Sequence, residues 1–529
     1  MGNSELRQGA ATAGCGHGTW RESSAVPEYS GRLGVFVEAG LAPYLLARRV
    51  VAWEDAASRV STRIQGMLTK EQAADIFDRI RRFSSADEVE AIFTGSRFAL
   101  TRFANSTIHQ NVEEENSIAS IRTNFGGRTA RATTNQFDNE SLRRAVAASE
   151  KLARVQVADP DLLPMPTAEE AECRTGESPV PTRFFDETAA ITPADRAEVV
   201  RRIVSVAGKH KLTTAGICSN SEAREGIFNS SGLANWHHQT LAEISITMLA
   251  EDSSGWQKLN STDVRKFDPV RLAETAAQKA VESAHPREIA PGKYTVILEP
   301  AAVLDIVGFM FWDYSGVAIL DQRSFLNDRI GTKLFGENIN VWDDAAHPLQ
   351  AGSPFDGEGM RRQRVQLVEN GVVKRVVYAR ATARKMKNSE YAAKVGPIEP
   401  TGHGFPLPNE MGEMPMNIVF GGAEDPRSVE QMIASTERGV LVTRLWYIRE
   451  VDPYEKIVTG MTRDGTFLVE NGKVQCGLRN FRFNQSLISM LSNVEMMSAP
   501  VRACGEESFD MVVPAMKVRE FNFTEATKF

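Results

Sequence analysis

Cysteine is scarce in this chain. Its 529 residues hold five, at Cys15, Cys173, Cys218, Cys476 and Cys504, odd in number and far apart. No Cys-x-x-Cys spacing occurs, which excludes a disulfide framework and a cysteine zinc cluster and fits a reducing compartment. No apolar run reaches the ~18 residues of a membrane-spanning helix, so no membrane association is expected. The N-terminus lacks the charged start and apolar core of a secretory signal, and a cytoplasmic protein is expected. Basic patches are missing too. The net charge is −7, and no Lys/Arg cluster exceeds short pairs such as Arg81-Arg82 and Arg361-Arg362. Both pairs read as solvated surface charge, so no nucleic-acid partner is expected. HExxH, GxSxG and P-loop signatures are absent. Gly126-Gly127 and Gly421-Gly422 lack the GxGxxG spacing and read as turns.

The clearest local signal present is a repeated tetrapeptide, Val-Glu-Asn-Gly, at Val368–Gly371 and again at Val469–Gly472. Asn-Gly accepts the positive φ angles of a type I′ turn, and both copies lie between β-branched runs, so each predicts a tight hairpin. A chain of this length predicts roughly two to four domains. Residues 1–66 show no sustained periodicity and read as a poorly structured extension, or as sequence preceding a natural start at Met67. Thr69 can cap a helix whose apolar face is Ala73, Ile76, Phe77 and Ile80. Strands follow at Ala91–Thr94, Ala99–Ala104, Ser117–Arg122 and Arg128–Thr133, then a helix over Ser141–Arg154. Residues 67–155 are therefore read as a first domain and 156–290 as a central one, with helices at Pro193–Ala207 and Leu272–Ala284 around a run of strands. Residues 291–529 read as a third, with an apolar helix over Pro300–Ala318. The fold class expected is α+β: N-terminal α/β domains with mixed sheet and packed helices, and a C-terminal β-rich domain of antiparallel hairpins.

Few residues stand out as chemical candidates. His237-His238 lie side by side on a strand, so they point to opposite faces and cannot share an ion. His109, just after a strand, reads as a polar groove residue or an ordinary exposed histidine. His403, between Gly402 and Gly404, sits where backbone could approach a ligand closely or where a loop needs positive φ. Asp356 and Glu358, in Phe355-Asp-Gly-Glu-Gly359, could form an acid/base pair. They read more readily as a turn in which Asp356 bonds its own backbone and Glu358 faces solvent or an arginine. Trp342-Asp343-Asp344 reads the same way.

Taken in order, several blocks resemble the TldD/PmbA family, whose PmbA branch is also called TldE. They are Thr101-Arg-Phe-Ala-Asn-Ser106 with His109-Gln110, Ile121-Arg122, Gly127-Arg128, Ala132-Thr-Thr-Asn135, Asn229-Ser-Ser-Gly232 and Ser253-Ser-Gly255. Ser353–Gly359 with the first hairpin, Thr401–Gly404, Gly439–Thr443, Thr459-Gly460 and the second hairpin complete the series. Each motif alone is weak; their order over more than 400 residues carries the resemblance. It implies a cytoplasmic metallopeptidase family. In TldD-type subunits a helical HExxxH and a later cysteine hold zinc, which lowers the pKa of its bound water. PmbA-type subunits lack those ligands and pair with a TldD-type partner, extended peptides lying between the two.

This sequence departs from the active pattern. The segment matching the HExxxH helix is Pro300–Gly316, and no histidine occurs between His285 and His347. Asp305 and Met310 fall near the two histidine positions, and a methionine does not replace imidazole on zinc. Cys504 lies about where the cysteine ligand would be, as a vestigial ligand or a plain small core residue. The resemblance therefore implies a metal-free subunit with no catalytic residue of its own, zinc residing in a TldD-type partner or, less directly, a homodimer. Arg102, Asn105, His109 and His403 are the groove residues it implies. Two other readings stay open: an active peptidase with zinc on Cys504, His403 and Asp305 or Asp356, and a peptide-binding scaffold without a peptidase partner.

Overall fold

A computed structural model of the chain describes residues 66–172 and 180–527. The expected extension, apart from its last residue, lies outside them, as do Cys15 and Cys173. Among the described residues no helix is long and apolar enough to cross a membrane.

The first half is built on one antiparallel sheet. Its strands are β1 (Glu88–Ala104), β2 (Thr107–Phe125), β3 (Arg128–Thr134), β4 (Thr213–Asn229), β5 (Ala234–Leu249) and β6 (Ser254–Ser261), in the order β3-β2-β1-β4-β5-β6. β1 and β4 pair without a break from Glu90↔Asn229 to Phe103↔Gly216. The boundary expected at residue 155 therefore separates stretches of chain that share one sheet. β1 and β2 also run longer than their sequence suggests, because Gly95-Ser96 sits inside β1 rather than ending it.

Side-chain alternation gives the sheet two different faces. Phe93 and Phe103 of β1, with Cys218 and Phe228 of β4, point to one face. There they pack on the helices Lys70–Phe83, Asn139–Val155, Pro193–Lys209 and Pro269–Glu282. The expected caps are present: Thr69 forms a capping box with Gln72, and Asp138 accepts from the backbone of Glu140 and Ser141. Ile92, Thr94, Glu225 and Ile227 point to the other face, which meets the loops of the C-terminal half.

That half is rich in strands, as expected. Both Val-Glu-Asn-Gly turns form, with Asn370 and Gly371 at φ 50° and 77° and Asn471 and Gly472 at 50° and 76°. Arg438–Asp452, Gly292–Leu298, Met516–Ala526, Phe481–Ser486 and Ile457–Glu470 pair in that order, and the last pairs back to the first, closing a ring. Beside it lies a mixed sheet of six short strands, from Val501–Ala503 to Val372–Val373, with Met511–Val513, Ile418–Phe420, Val341–Asp343 and Val365–Glu369 between them. A large apolar core joins the two. The single helix expected over Pro300–Ala318 is broken: Pro300–Val307 is α-helical, Gly308–Asp313 is a 3-10 turn, and a second helix spans Gly316–Leu320. Gly308 marks the break, where a Cβ would meet the Ser508 side chain at 1.8 Å, so the chain at Ser508 packs directly on its backbone.

Candidate functional site

Register places charge inside the junction between the first sheet and the C-terminal half. Glu90, Arg122 and Arg131 lie opposite one another on β1, β2 and β3. Arg122 Nη2 stands 3.0 Å from Glu90 Oε2, and Arg131 pairs with Oε1. Burial pushes the Glu90 carboxyl up, but the two guanidiniums outweigh it and hold it below the usual range. Arg131 also donates to the carbonyls of Ser120 and Leu407, and burial lowers its own pKa to about 10. Nothing in the alternation of β1 marked Glu90 beforehand except a carboxylate within an apolar run.

The loop facing this row carries the acidic pair. Asp356 Oδ1 accepts the N–H of Glu358 and of Met360, each at 2.9 Å, so the expected Asp356 turn is present. Its Oδ2 accepts the N–H of Gly404 at 2.7 Å. Glu358 faces arginine rather than solvent, the second of its two expected settings: it is buried, feels the charges of Arg380 and Arg122, and accepts the N–H of Arg380, the first residue of the helix Arg380–Lys387, at 3.0 Å. The sheet covers it, which a local reading of Phe355–Gly359 cannot detect. Burial raises both carboxyls, and for Asp356 the charge of Glu358 adds to the effect. A Cβ at Gly404 would stand 2.8 Å from Glu358 Oε2 and 3.3 Å from Asp356 Oδ2, so the two carboxyls fill the space a side chain would need.

Asp343 and Arg362 are further corrections. Asp343 is no turn residue: it is the last residue of the strand Val341–Asp343 and fully buried. Its Oδ1 lies 3.0 Å from His403 Nε2, while Oδ2 accepts the N–H of Met416 and Asn417 at 2.7 Å each. Burial pushes this carboxyl up, yet the facing imidazole and Arg362 bring it below its ordinary value. His403 Nδ1 meets Thr401 Oγ1 at 3.0 Å. Arg362, expected on the surface, is only 9% exposed, with Nε and Nη1 lacking a hydrogen-bond partner. Arg81 and Arg82 are exposed, as expected.

The four expected groove residues do not gather in one place. Arg102, Asn105 and His109 are exposed around the β1–β2 turn, where Asn105 and Ser106 take φ of 48° and 59°. His403 is inside the C-terminal half, 1% exposed. His237 and His238 follow the strand alternation. His238 meets Glu222 at 2.8 Å and stacks on Phe184, while burial lowers the His237 pKa to about 4.

The position matching the zinc helix does bring two distant segments together. Asp305, fully buried, accepts the N–H of Glu506 and Glu507 at 3.1 and 3.2 Å. A Cβ on Gly505 would lie 2.1 Å from its Oδ1. Burial raises the Asp305 carboxyl to about 7 and pushes the Cys504 thiol well up. Met310 and Phe311 are buried, but Trp312 is 39% exposed rather than part of the core. The donors here are a carboxylate already accepting two N–H groups and a protonated thiol, without imidazole; they do not fit a catalytic zinc centre. Cys504 and His403 are also far apart. Ala503, Met511, Ile418 and Asp343 form a row across the mixed sheet, three strand spacings or roughly 14 Å long.

Comparison with known proteins agrees with the fold and the motif order. Family models described as PmbA/TldA metallopeptidase domain 1, central domain and C-terminal domain match residues 89–153, 186–284 and 291–525. Metalloprotease PmbA of Escherichia coli O157:H7 is 22% identical over 409 residues, covering 74% of this chain and 83% of that protein. A PmbA homolog of Haemophilus influenzae is 23% identical, covering 73% of this chain and 82% of its own. The crystal structure of TldE from Thermococcus kodakarensis superposes with a TM-score of 0.74 at 20% identity, over 86% of this chain and all of that one. A Thermotoga maritima structure titled a putative modulator of a DNA gyrase gives 0.73 at 18% identity, over 85% of this chain and 100% of its own. The chain belongs to the PmbA/TldD metallopeptidase family.

Proposed function

We propose that this chain is the TldE/PmbA-type, metal-free subunit of a cytoplasmic metallopeptidase complex that processes extended peptides. It contributes substrate surface and subunit interface, and a TldD-type partner contributes the zinc. The observation that carries this reading is the corner at Asp305 and Cys504. Where the resemblance asks for two imidazoles and a thiolate, the chain has a carboxyl locked by two backbone N–H groups and a thiol held protonated by burial.

The free edge of β2 supports peptide recognition by strand addition. β3 pairs with β2 only from Ala119 onward, so Thr107–Ile118 has β1 on one side and no strand on the other among the described residues. An extended peptide can add to such an edge through its backbone, with side chains setting preference. Arg102, Asn105 and His109 stand at the tip of this edge, and Glu113, Glu114 and Glu115 along it favour a basic peptide. His403 acts from inside, fixing Asp343 behind the loop at Gly404.

The test is to purify the tagged chain from its own host and identify what accompanies it. Recovery of a TldD-type subunit with an intact HExxxH, and peptide cleavage only by the pair, is expected. Cleavage by this chain alone with zinc, abolished by a chelator, would overturn the reading.

A further inference from the structure

A partly open cavity of about 70 Å³ lies at the junction between the sheet and the C-terminal half. Water needs roughly 10–15 Å³ on this measure, so the space suits about five waters or one small organic molecule. Its walls are mostly apolar, with Ile92 and Ile227 from the sheet and Phe355 and Phe405 from the loops. Three ionisable groups also line it: Arg362, Glu225 and Asp356.

Arg362 faces the carboxyls of Asp343, Glu225 and Asp356, yet two of its nitrogens make no hydrogen bond. Arg122 and Arg131 share Glu90, whereas the buried Arg362 leaves Nε and Nη1 without acceptors. A buried donor left unmatched is costly, so an acceptor that reaches it from this cavity would be favoured there. Glu225 and Asp356 share this one guanidinium with Asp343. Burial raises both Glu225 and Asp356, with Arg362 opposing the shift in each case. A ligand with net negative charge would face these two carboxyls, and one with net positive charge would face the guanidinium. A ligand carrying both charges, with an apolar remainder of a few carbons, answers all three walls at once.

We propose that this cavity binds a small apolar α-amino acid as its zwitterion, of the size of alanine to valine. Its carboxylate would accept from Arg362, its ammonium would donate to Glu225 and Asp356, and its side chain would rest on Ile92, Ile227 and Phe355. Such amino acids are released by complete peptide breakdown, so the site would sense an end product of the reaction class the family name implies. The site stands whether or not the chain pairs with a zinc-bearing subunit.

The test is calorimetric titration of the full chain with L-valine, isobutylamine (valine without its carboxylate), isovaleric acid (valine without its ammonium) and L-tryptophan. Valine is expected to bind, with the amine and the acid each at least about tenfold weaker, a difference of about 1.4 kcal/mol, and tryptophan excluded by size. Arg362→Met is expected to abolish valine binding. Thr94→Leu, which fills the cavity from the sheet side and leaves the charges in place, is expected to do the same. Melting curves establish that each variant is folded, and if one is not, the ligand series on the natural chain decides alone. No heat with valine up to about 10 mM, well above a millimolar Kd, would mean the cavity holds solvent only and would overturn the proposal. Equal binding of valine and isovaleric acid would overturn the zwitterion.

Discussion

Two buried polar corners of this molecule are built in opposite ways. At Asp305 the carboxyl is wrapped by the 504–507 turn, two N–H groups reach it, and backbone packs so closely that only glycine fits at residue 505. At Arg362 a guanidinium faces a cavity with donors unclaimed. The first lies where active relatives are expected to keep their metal; the second lies some way off, beneath the first sheet. Packing is closed around Asp305 Oδ1, although its Oδ2 lacks a hydrogen-bond partner, whereas at Arg362 two unmatched donors adjoin open space, the usual mark of a ligand site.

The comparison breaks most visibly if the ionic row beside Arg362 is not what holds the junction. Glu90→Gln removes the carboxylate that the buried Arg122 and Arg131 share, and a loss of about 3–5 kcal/mol in denaturant unfolding is expected. A loss below about 1 kcal/mol would mean that solvent reaches the row.

Asp305→Asn sharpens the other side. The folded pKa of Asp305 is raised to about 7, so the folded chain holds a proton that the unfolded chain releases. Its contribution is present at acid pH and is lost as pH rises from the unfolded value through the folded one. Between about pH 5 and about pH 8 this one group should lower stability by about 2.5 kcal/mol in the natural chain and by nothing in the variant. Unfolding curves at the two pH values check it; parallel pH dependence in both proteins would contradict a closed, protonated carboxyl.

Smaller effects follow. Gly404→Ala pushes a methyl against Glu358 and Asp356 and should cost about 1–3 kcal/mol, since Glu358 is held in place by the Arg380 N–H. Asn105→Ala loses the residue type that tolerates positive φ in the β1–β2 turn and should cost roughly 0.5–1 kcal/mol. Peptide binding along the β2 edge is expected to weaken with it, read by fluorescence anisotropy of a basic peptide.

What was legible in the sequence was local. Asn370-Gly371 and Asn471-Gly472 name their turns, and Thr69 and Asp138 name their helix starts, because the determining atoms lie within a few residues. The family was legible from motif order. What could not be read was decided across long separations. β1 and β4 pair some 120 residues apart, so the sheet they share spans residues 67–155 and 156–290 alike. Arg362 and Asp343 looked like surface and turn residues because the face that buries them comes from elsewhere in the fold. Asn105-Ser106 was a readable turn signal that the tip of a ribbon, rather than the end of a strand, would have explained.

The most direct measurement is zinc content and peptide cleavage of the purified chain, alone and mixed with a TldD-type partner. The account predicts far less than one zinc per chain, no cleavage alone, and cleavage by the mixture that Cys504→Ser in this chain leaves unchanged. One zinc per chain, lost with Cys504→Ser together with cleavage by this chain alone, would contradict it.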